Sequence, residues 1–182
     1  MNSRHRTNAA VDPGESDSSR SSSQPTRRTF SRLQENSLRI RDAKLSDVTE
    51  LAALMSQLGY ETTSAEMTTR LKSVLRDPRY RTLVAKIDNE LCGMIGTLTH
   101  VSHEHNDPSG KILALDVSKK QRRNGVGRAL ITAAEKDFAD RNVKRVTLTA
   151  RFEREEAHQF YEKLRYSRTG FRFGKNLAPI SE

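Results

Sequence analysis

The stretch Gln121-Arg122-Arg123-Asn124-Gly125-Val126-Gly127-Arg128 decides how the rest of the chain is read. Before it, residues 112–117 are apolar over most of their length and read as a strand buried on much of its surface. After it, Val126, Leu130, Ala134 and Phe138 recur at helical spacing, which predicts a helix over 126–141 ended by a left-handed Asn142. A strand, a glycine-punctuated loop and a helix start together make an anion site. The first backbone N–H groups of a helix lack intrahelical acceptors, and the helix dipole favours negative charge there. Glycine at 125 and 127 lets an oxyanion approach the main chain. Arg122, Arg123, Arg128 and the more distant Arg141 add positive charge. The same octapeptide also fits an ordinary strand-to-helix turn under a solvated basic patch. No Gly-x4-Gly-Lys-Ser/Thr string occurs, and Leu130 stands where a dinucleotide fingerprint needs its third glycine. The string present is Arg-x-x-Gly-x-Gly, from Arg122 to Gly127.

Upstream, Leu38 and Ile40 alternate with Arg39 and Arg41, predicting a short first strand. Ser46 or Asp47 is a candidate cap, with Glu50 completing a capping box after Asp47. Val48, Leu51, Met55 and Leu58 then follow at helical spacing up to Gly59. Ser64 is the candidate cap of a second helix with the stripe Met67, Leu71, Val74 and Leu75, closed by Pro78. Residues 82–87 and 91–101 flank Asp88-Asn89-Glu90 and predict a hairpin, with Gly93 and Gly96 marking a bulge or close backbone approach. Downstream, 143–149 is a further strand, and Ala157, Phe160, Tyr161 and Leu164 form the stripe of a last helix. A tail strand is expected at 170–173.

The first 36 residues are of another kind. Seven of the sixteen positions from 16 to 31 are serine, and little sizeable apolar surface is present. Such a segment cannot bury enough to offset its conformational entropy. Residues 1–36 are therefore expected to be a disordered Ser/Arg-rich tail, with the folded domain in 37–182. Its six arginines also permit a flexible basic arm. The whole chain of 182 residues carries a net charge of +9. Its one cysteine, Cys92, excludes an intrachain disulfide and multi-cysteine metal sites. No apolar run is long enough for a membrane-spanning helix, and the opening residues lack the apolar core of a secretion signal. A cytoplasmic protein is expected.

With these residues in place, the chain resembles the GNAT family of N-acetyltransferases over 37–177. Arg122-x-x-Gly125-x-Gly127 is similar to the family's pyrophosphate loop, and Leu115-Asp116-Val117 to the end of its acyl-CoA-binding strand. Glu156-Ala157-His158-Gln159-Phe160-Tyr161-Glu162-Lys163-Leu164 resembles its Ala-x-x-Phe-Tyr helix. The resemblance implies an α/β fold with a mixed, mostly antiparallel sheet, flanked by helices and splayed between its fourth and fifth strands. It implies acetyl-CoA as acyl donor, and the cysteine count and histidine spacing lead us to expect no metal. The diphosphate would lie on Arg122, Arg123, Asn124, Gly125, Val126, Gly127 and Arg128, and the pantetheine along Leu115 and Val117. The Val117 main chain would hold the thioester carbonyl, an oxyanion-type contact. Tyr161 would protonate the departing thiolate as a general acid, whereas Phe160 suits a core position.

Some positions depart from the family pattern. Arg165 replaces a glycine common after the last helix, where a left-handed conformation costs a side chain about 1 kcal/mol. Phe152 stands near a frequent asparagine, and Leu113-Ala114 replaces a frequent Glu-Asn pair. The general base is open between Asp116, Glu61 and a water relay. Strand alternation points Asp116 away from the face of Leu115 and Val117, which favours a structural ion pair. His100, His103 and His105 with Glu104 and Asp107 match no standard zinc spacing. His158 reads as a packing or capping residue, and Cys92 as a small buried apolar one.

The expected function is acetyl transfer from acetyl-CoA to a primary amine of a small molecule or peptide. The alternative is a catalytically silent acyl-CoA-binding sensor, which the presence of Tyr161 disfavours. A nucleic-acid partner is not expected, because no aromatic-plus-basic RNA motif or helix-turn-helix signal accompanies the charge. A membrane partner is not expected either, and the chain is expected to be a monomer or homodimer.

Overall fold

A computed structural model describes residues 37–177, so the expected tail at 1–36 lies outside the described residues. The chain runs through β1 (Arg39–Asp42), a 3-10 turn (Leu45–Asp47), α1 (Val48–Gln57), α2 (Ser64–Arg76), β2 (Tyr80–Ile87), β3 (Glu90–His100) and β4 (Ser109–Val117). A second 3-10 turn (Lys119–Gln121) leads to α3 (Val126–Asp140), β5 (Arg145–Leu148) and α4 (Glu155–Lys163). The strands lie in the order β1-β2-β3-β4-β5. All neighbours are antiparallel except β4 and β5, which are parallel. This is the expected mixed, mostly antiparallel sheet.

Strand alternation sends side chains to two cores. Leu83, Ala85 and Ile95 pack with Val126, Leu130, Ile131, Ala134 and Phe138 of α3. Val84 and Met94 face the other way, onto Leu51, Leu54, Met67 and Leu71 of α1 and α2. The sheet is thus covered on both faces, and the expected helical stripes are core faces except at Leu75, which is exposed. A register shift between Gly96 and Thr97 is the bulge that the glycines of β3 suggested.

Several boundaries differ from the sequence reading, each for a physical reason. β4 starts at Ser109 rather than 112. Gly110 reads as a loop residue, yet it pairs with Thr99 on one side and Val146 on the other. A Cβ there would stand 2.8 Å from the Phe138 ring, so glycine is what lets α3 lie this close. β5 is shorter than 143–149, because Val143 ends α3 by donating to the Phe138 carbonyl at 2.9 Å. The cap of α2 is Thr63, not Ser64, in a reciprocal box with Glu66. The expected box of Asp47 and Glu50 is not formed: the Asp47 carboxylate accepts from the Lys44 N–H at 2.8 Å and pairs with Arg41 at 2.7 Å. No strand forms at 170–173, where Phe171 and Phe173 are exposed and burial rewards no pairing.

Three helices end in the same way. The N–H groups of Tyr60, Val143 and Tyr166 reach back to the carbonyls of Met55, Phe138 and Tyr161. Gly59, Asn142 and Arg165 supply the left-handed residue that each such ending needs. Arg165 therefore keeps the glycine-type conformation, with φ 67°. We expect Arg165→Gly to stabilise the protein by about 1 kcal/mol. Urea unfolding of both proteins checks this, and an unchanged or lower midpoint refutes the strain.

Candidate active site

The two edges of β4 are treated differently along its length. Its pairing with β5 runs from Ser109↔Arg145 to Ile112↔Leu148 and stops. On the other edge β3 stays paired as far as Gly93↔Val117. The main chain from 113 to 117 is therefore open on the side β5 has left, which is the expected splay. The Ser118 N–H donates to the Cys92 carbonyl at 2.8 Å. By the alternation of an antiparallel ladder, Val117 and Leu115 turn their N–H and C=O groups to the opposite, open edge.

The loop after β4 delivers the N-terminus of α3 beside this edge. Gly125 is the N-cap, with φ 80° and no side-chain cap bond. A Cβ there would meet nothing within 4 Å, so the backbone conformation, not crowding, calls for glycine. At Gly127 the reason is contact: a Cβ would lie 3.3 Å from the Phe160 ring and 3.8 Å from the Val117 side chain. The first intrahelical bond runs from the Ala129 N–H to the Gly125 carbonyl at 3.0 Å. The N–H groups of Val126, Gly127 and Arg128 precede it and have no helical acceptor. Val126 contributes only its N–H here, since its side chain is buried in the α3 core.

The arginines of the loop divide their duties. Arg122 turns back onto β4: its Nε donates to the Val117 carbonyl at 3.1 Å, and its Nη2 lies 3.4 Å from the Asp116 carboxylate. Arg123 reaches Glu156 at the start of α4 at 2.9 Å, an exposed pair that contributes little stability. Asn124 donates to the Gln121 side chain at 3.1 Å, and Arg128 is exposed at the head of α3. Arg128 is the loop arginine best placed to meet an anion there.

Asp116 faces α1, opposite to Leu115 and Val117, as alternation requires. It is buried, and burial pushes its carboxyl above the ordinary aspartate range, while Gln57 and Arg122 pull the other way. Gln57 was not singled out by the sequence reading. Its Nε2 donates to Asp116 at 2.8 Å and to the Val117 carbonyl at 3.1 Å, and its Oε1 accepts from the Lys119 N–H at 3.1 Å. The signal available was a polar residue three positions after the buried Leu54 on the same helix. Gln57 thereby ties the end of α1 to the open end of β4.

Tyr161 lies on the inner face of α4, edge-on to Phe160 and Tyr166 with ring centroids 5.2 and 5.9 Å away. Both Phe160 and Tyr161 pack against the α3 core. Burial raises the Tyr161 phenol above its ordinary pKa, with Arg154 opposing. Tyr166 is used differently, its hydroxyl donating to Glu135 at 2.8 Å. Glu61 is exposed in the loop between α1 and α2.

The remaining candidates have other roles. His158 Nε2 lies 2.9 Å from the Arg151 carbonyl and anchors the loop before α4. Cys92 is buried, donates to the Ala85 carbonyl at 3.4 Å, and has its thiol raised by burial, which suits an inert residue. Among the described residues no group of three or more His, Cys, Asp or Glu is placed to hold a metal ion. No described helix is long and apolar enough to cross a membrane. A depression of about 260 Å³ lined by Phe152, Glu155, His158, Gln159 and Arg168 lies on the outer face of α4 and shares none of the β4 or α3 residues.

Residues 46–166, about two thirds of the chain, match the family described as acetyltransferase (GNAT). An aminoalkylphosphonate N-acetyltransferase of Salmonella typhimurium is 29% identical over 103 residues, covering 57% of this chain and 67% of that protein. A GNAT family acetyltransferase of Staphylococcus aureus superposes with a TM-score of 0.67 at 25% identity, covering 78% of this chain and 99% of the other. A protein of Bacillus halodurans described as a transcriptional regulator superposes with a TM-score of 0.71 at 17% identity, over 78% and 100% of the two chains, a likeness of fold.

Proposed function

Because the chain belongs to the GNAT family of acetyltransferases, we propose that it moves an acetyl group from acetyl-CoA directly to a primary amine of a small molecule or peptide. The observation that carries this reading is the meeting of two sets of main-chain N–H groups left over by helix and sheet pairing. The head of α3 offers the N–H groups of Val126, Gly127 and Arg128, and β4 offers those of Leu115 and Val117 where β5 has departed. The first edge suits a diphosphate, with Arg122, Arg123, Asn124, Gly125 and Arg128 around it. The second suits an extended amide-bearing arm that pairs as a strand does. We assign the activity to 37–182, with 1–36 as an appended tail.

In this reading the Val117 N–H donates to the thioester oxygen as it gains charge. The acceptor nitrogen attacks the carbonyl carbon, a C–N bond forms and the C–S bond breaks. Tyr161, kept neutral by burial, gives its proton to the departing sulfur. The proton of the attacking amine leaves through Asp116, Glu61 or water. Asp116 is the least free of these, being held by Gln57 and Arg122. The name of the Salmonella relative makes aminoalkylphosphonates natural acceptors to try.

The protein should gain thermal stability with acetyl-CoA concentration, by about 2.7 kcal/mol at one hundred times the dissociation constant. A screen of amines for release of the free thiol of coenzyme A then tests transfer. Absence of any thermal shift with acetyl-CoA would refute the reading.

A further inference from the structure

Arg154 stands at the proposed transfer site with no counter-charge among the described residues. It immediately precedes α4, and its guanidinium donates to the Leu58 carbonyl at the end of α1. The next residue toward the N-terminus, Gln57, holds Asp116 and the Val117 carbonyl. Tyr161 follows on the same helix, and the Arg154 charge opposes the rise of its phenol's pKa. The guanidinium thus ties the end of α1, where Gln57 holds β4, to the head of the helix that carries Tyr161.

Its isolation is unusual in this protein. Arg41, Arg81, Arg141 and Arg145 are half-buried like Arg154, and each pairs with a carboxylate. Arg154 is the one half-buried arginine among the described residues with no carboxylate partner. Arg151, three positions earlier, has no carboxylate partner among the described residues and lies over the Tyr60 ring, 5.6 Å from its centroid. A guanidinium presents a fork of donors matched to a carboxylate or phosphonate, and partial burial strengthens the contact. A positive charge at this place also disfavours the ammonium form of a neighbouring amine, and the neutral amine is the nucleophile.

We infer that Arg154, seconded by Arg151, binds an acidic group of the acceptor, so that the acceptor is an amine bearing a carboxylate, phosphonate or phosphate a few bonds from its nitrogen. The inference rests on the acetyl-transfer reading above. It differs from that reading in naming the substrate class and the side chains that select it.

The test uses the full chain, acetyl-CoA and three acceptors of similar length: propylamine, β-alanine and 2-aminoethylphosphonate. The quantity read is kcat/KM for each acid relative to propylamine, from thiol release. Both acids, or the one whose oxyanion fits, should be preferred by roughly tenfold or more. Arg154→Gln keeps a donor for the Leu58 carbonyl but removes the charge, and should bring that ratio toward one through KM. Arg154→Lys should restore part of the preference. Equal use of the three amines by the unmodified protein overturns the proposal whatever the variants do. So does a ratio that survives in Arg154→Gln, or a loss in that variant of acetyl-CoA affinity in place of acceptor preference. Acetyl-CoA binding without turnover of any of the three overturns the proposal alone, whereas no acetyl-CoA binding overturns the acetyl-transfer reading and this proposal together.

Discussion

We expect Tyr161→Phe to lower kcat by ~10²–10⁴-fold, the usual worth of a general acid, and to change acetyl-CoA affinity little. The substitution removes one hydroxyl and leaves the ring in its contacts with Phe160 and Tyr166. No hydrogen bond to that hydroxyl is present among the described residues, so its removal orphans no partner and the fold should persist. The pH dependence gives an independent check. Burial holds the Tyr161 pKa above its ordinary value of about 10, so the phenol is protonated throughout the neutral range. Activity that depends on its proton should therefore fall only at strongly alkaline pH, and that fall should vanish in Tyr161→Phe. If kcat is unchanged, Tyr161 is a packing residue and the thiolate leaves with another donor or none. If the unmodified protein binds acetyl-CoA but turns over no amine in a broad screen, the sensor reading takes its place.

Gly125→Val should abolish the thermal shift given by acetyl-CoA. Gly125 enters α3 with φ 80°, where a side chain bearing Cβ costs roughly 1–2 kcal/mol, and a β-branched residue is a clear outlier. A valine relieves the strain by rotating the backbone out of the left-handed region. That rotation re-aims the first free N–H groups of α3. The surroundings at Gly125 are open, so nothing in the core must move. The unliganded fold should thus survive with modest loss of stability, measurable by its melting temperature. A normal acetyl-CoA shift in a folded Gly125→Val protein would remove the loop from the coenzyme site. Loss of the shift together with loss of folded protein is resolved by Gly125→Ala, which carries the smaller strain and should weaken binding partially.

The parts of this protein legible in its sequence are those set by neighbours in the chain. The stripe from Val126 to Phe138 faces a core because helical period places those residues on one side. The left-handed endings at Gly59 and Asn142 follow from residue types that tolerate positive φ. Arg165 shows that the rule is a preference: the contact between Tyr161 and Tyr166 and the two back-reaching hydrogen bonds hold a less suitable residue in the same conformation. The strand expected at 170–173 fails for the opposite reason. Its local pattern is permissive, but Phe171 and Phe173 stay exposed and no strand among the described residues pairs with it.

The octapeptide from Gln121 to Arg128 by itself determined a helix start with free N–H groups, because glycine conformation and helix termini are local properties. Which carboxylates and arginines serve chemistry and which serve structure was decided only in three dimensions. Asp116 is bound by a glutamine 59 residues away, and Arg154 by a carbonyl 96 residues away. Neither distance leaves a trace in spacing or periodicity. Both contacts exist because the order of strands in the sheet and the departure of β5 bring the ends of α1, β4 and the head of α4 together. A side chain's charge is written in the sequence, but its partner, a carbonyl and among the described residues no carboxylate at Arg154, is set by the packing of elements distant along the chain.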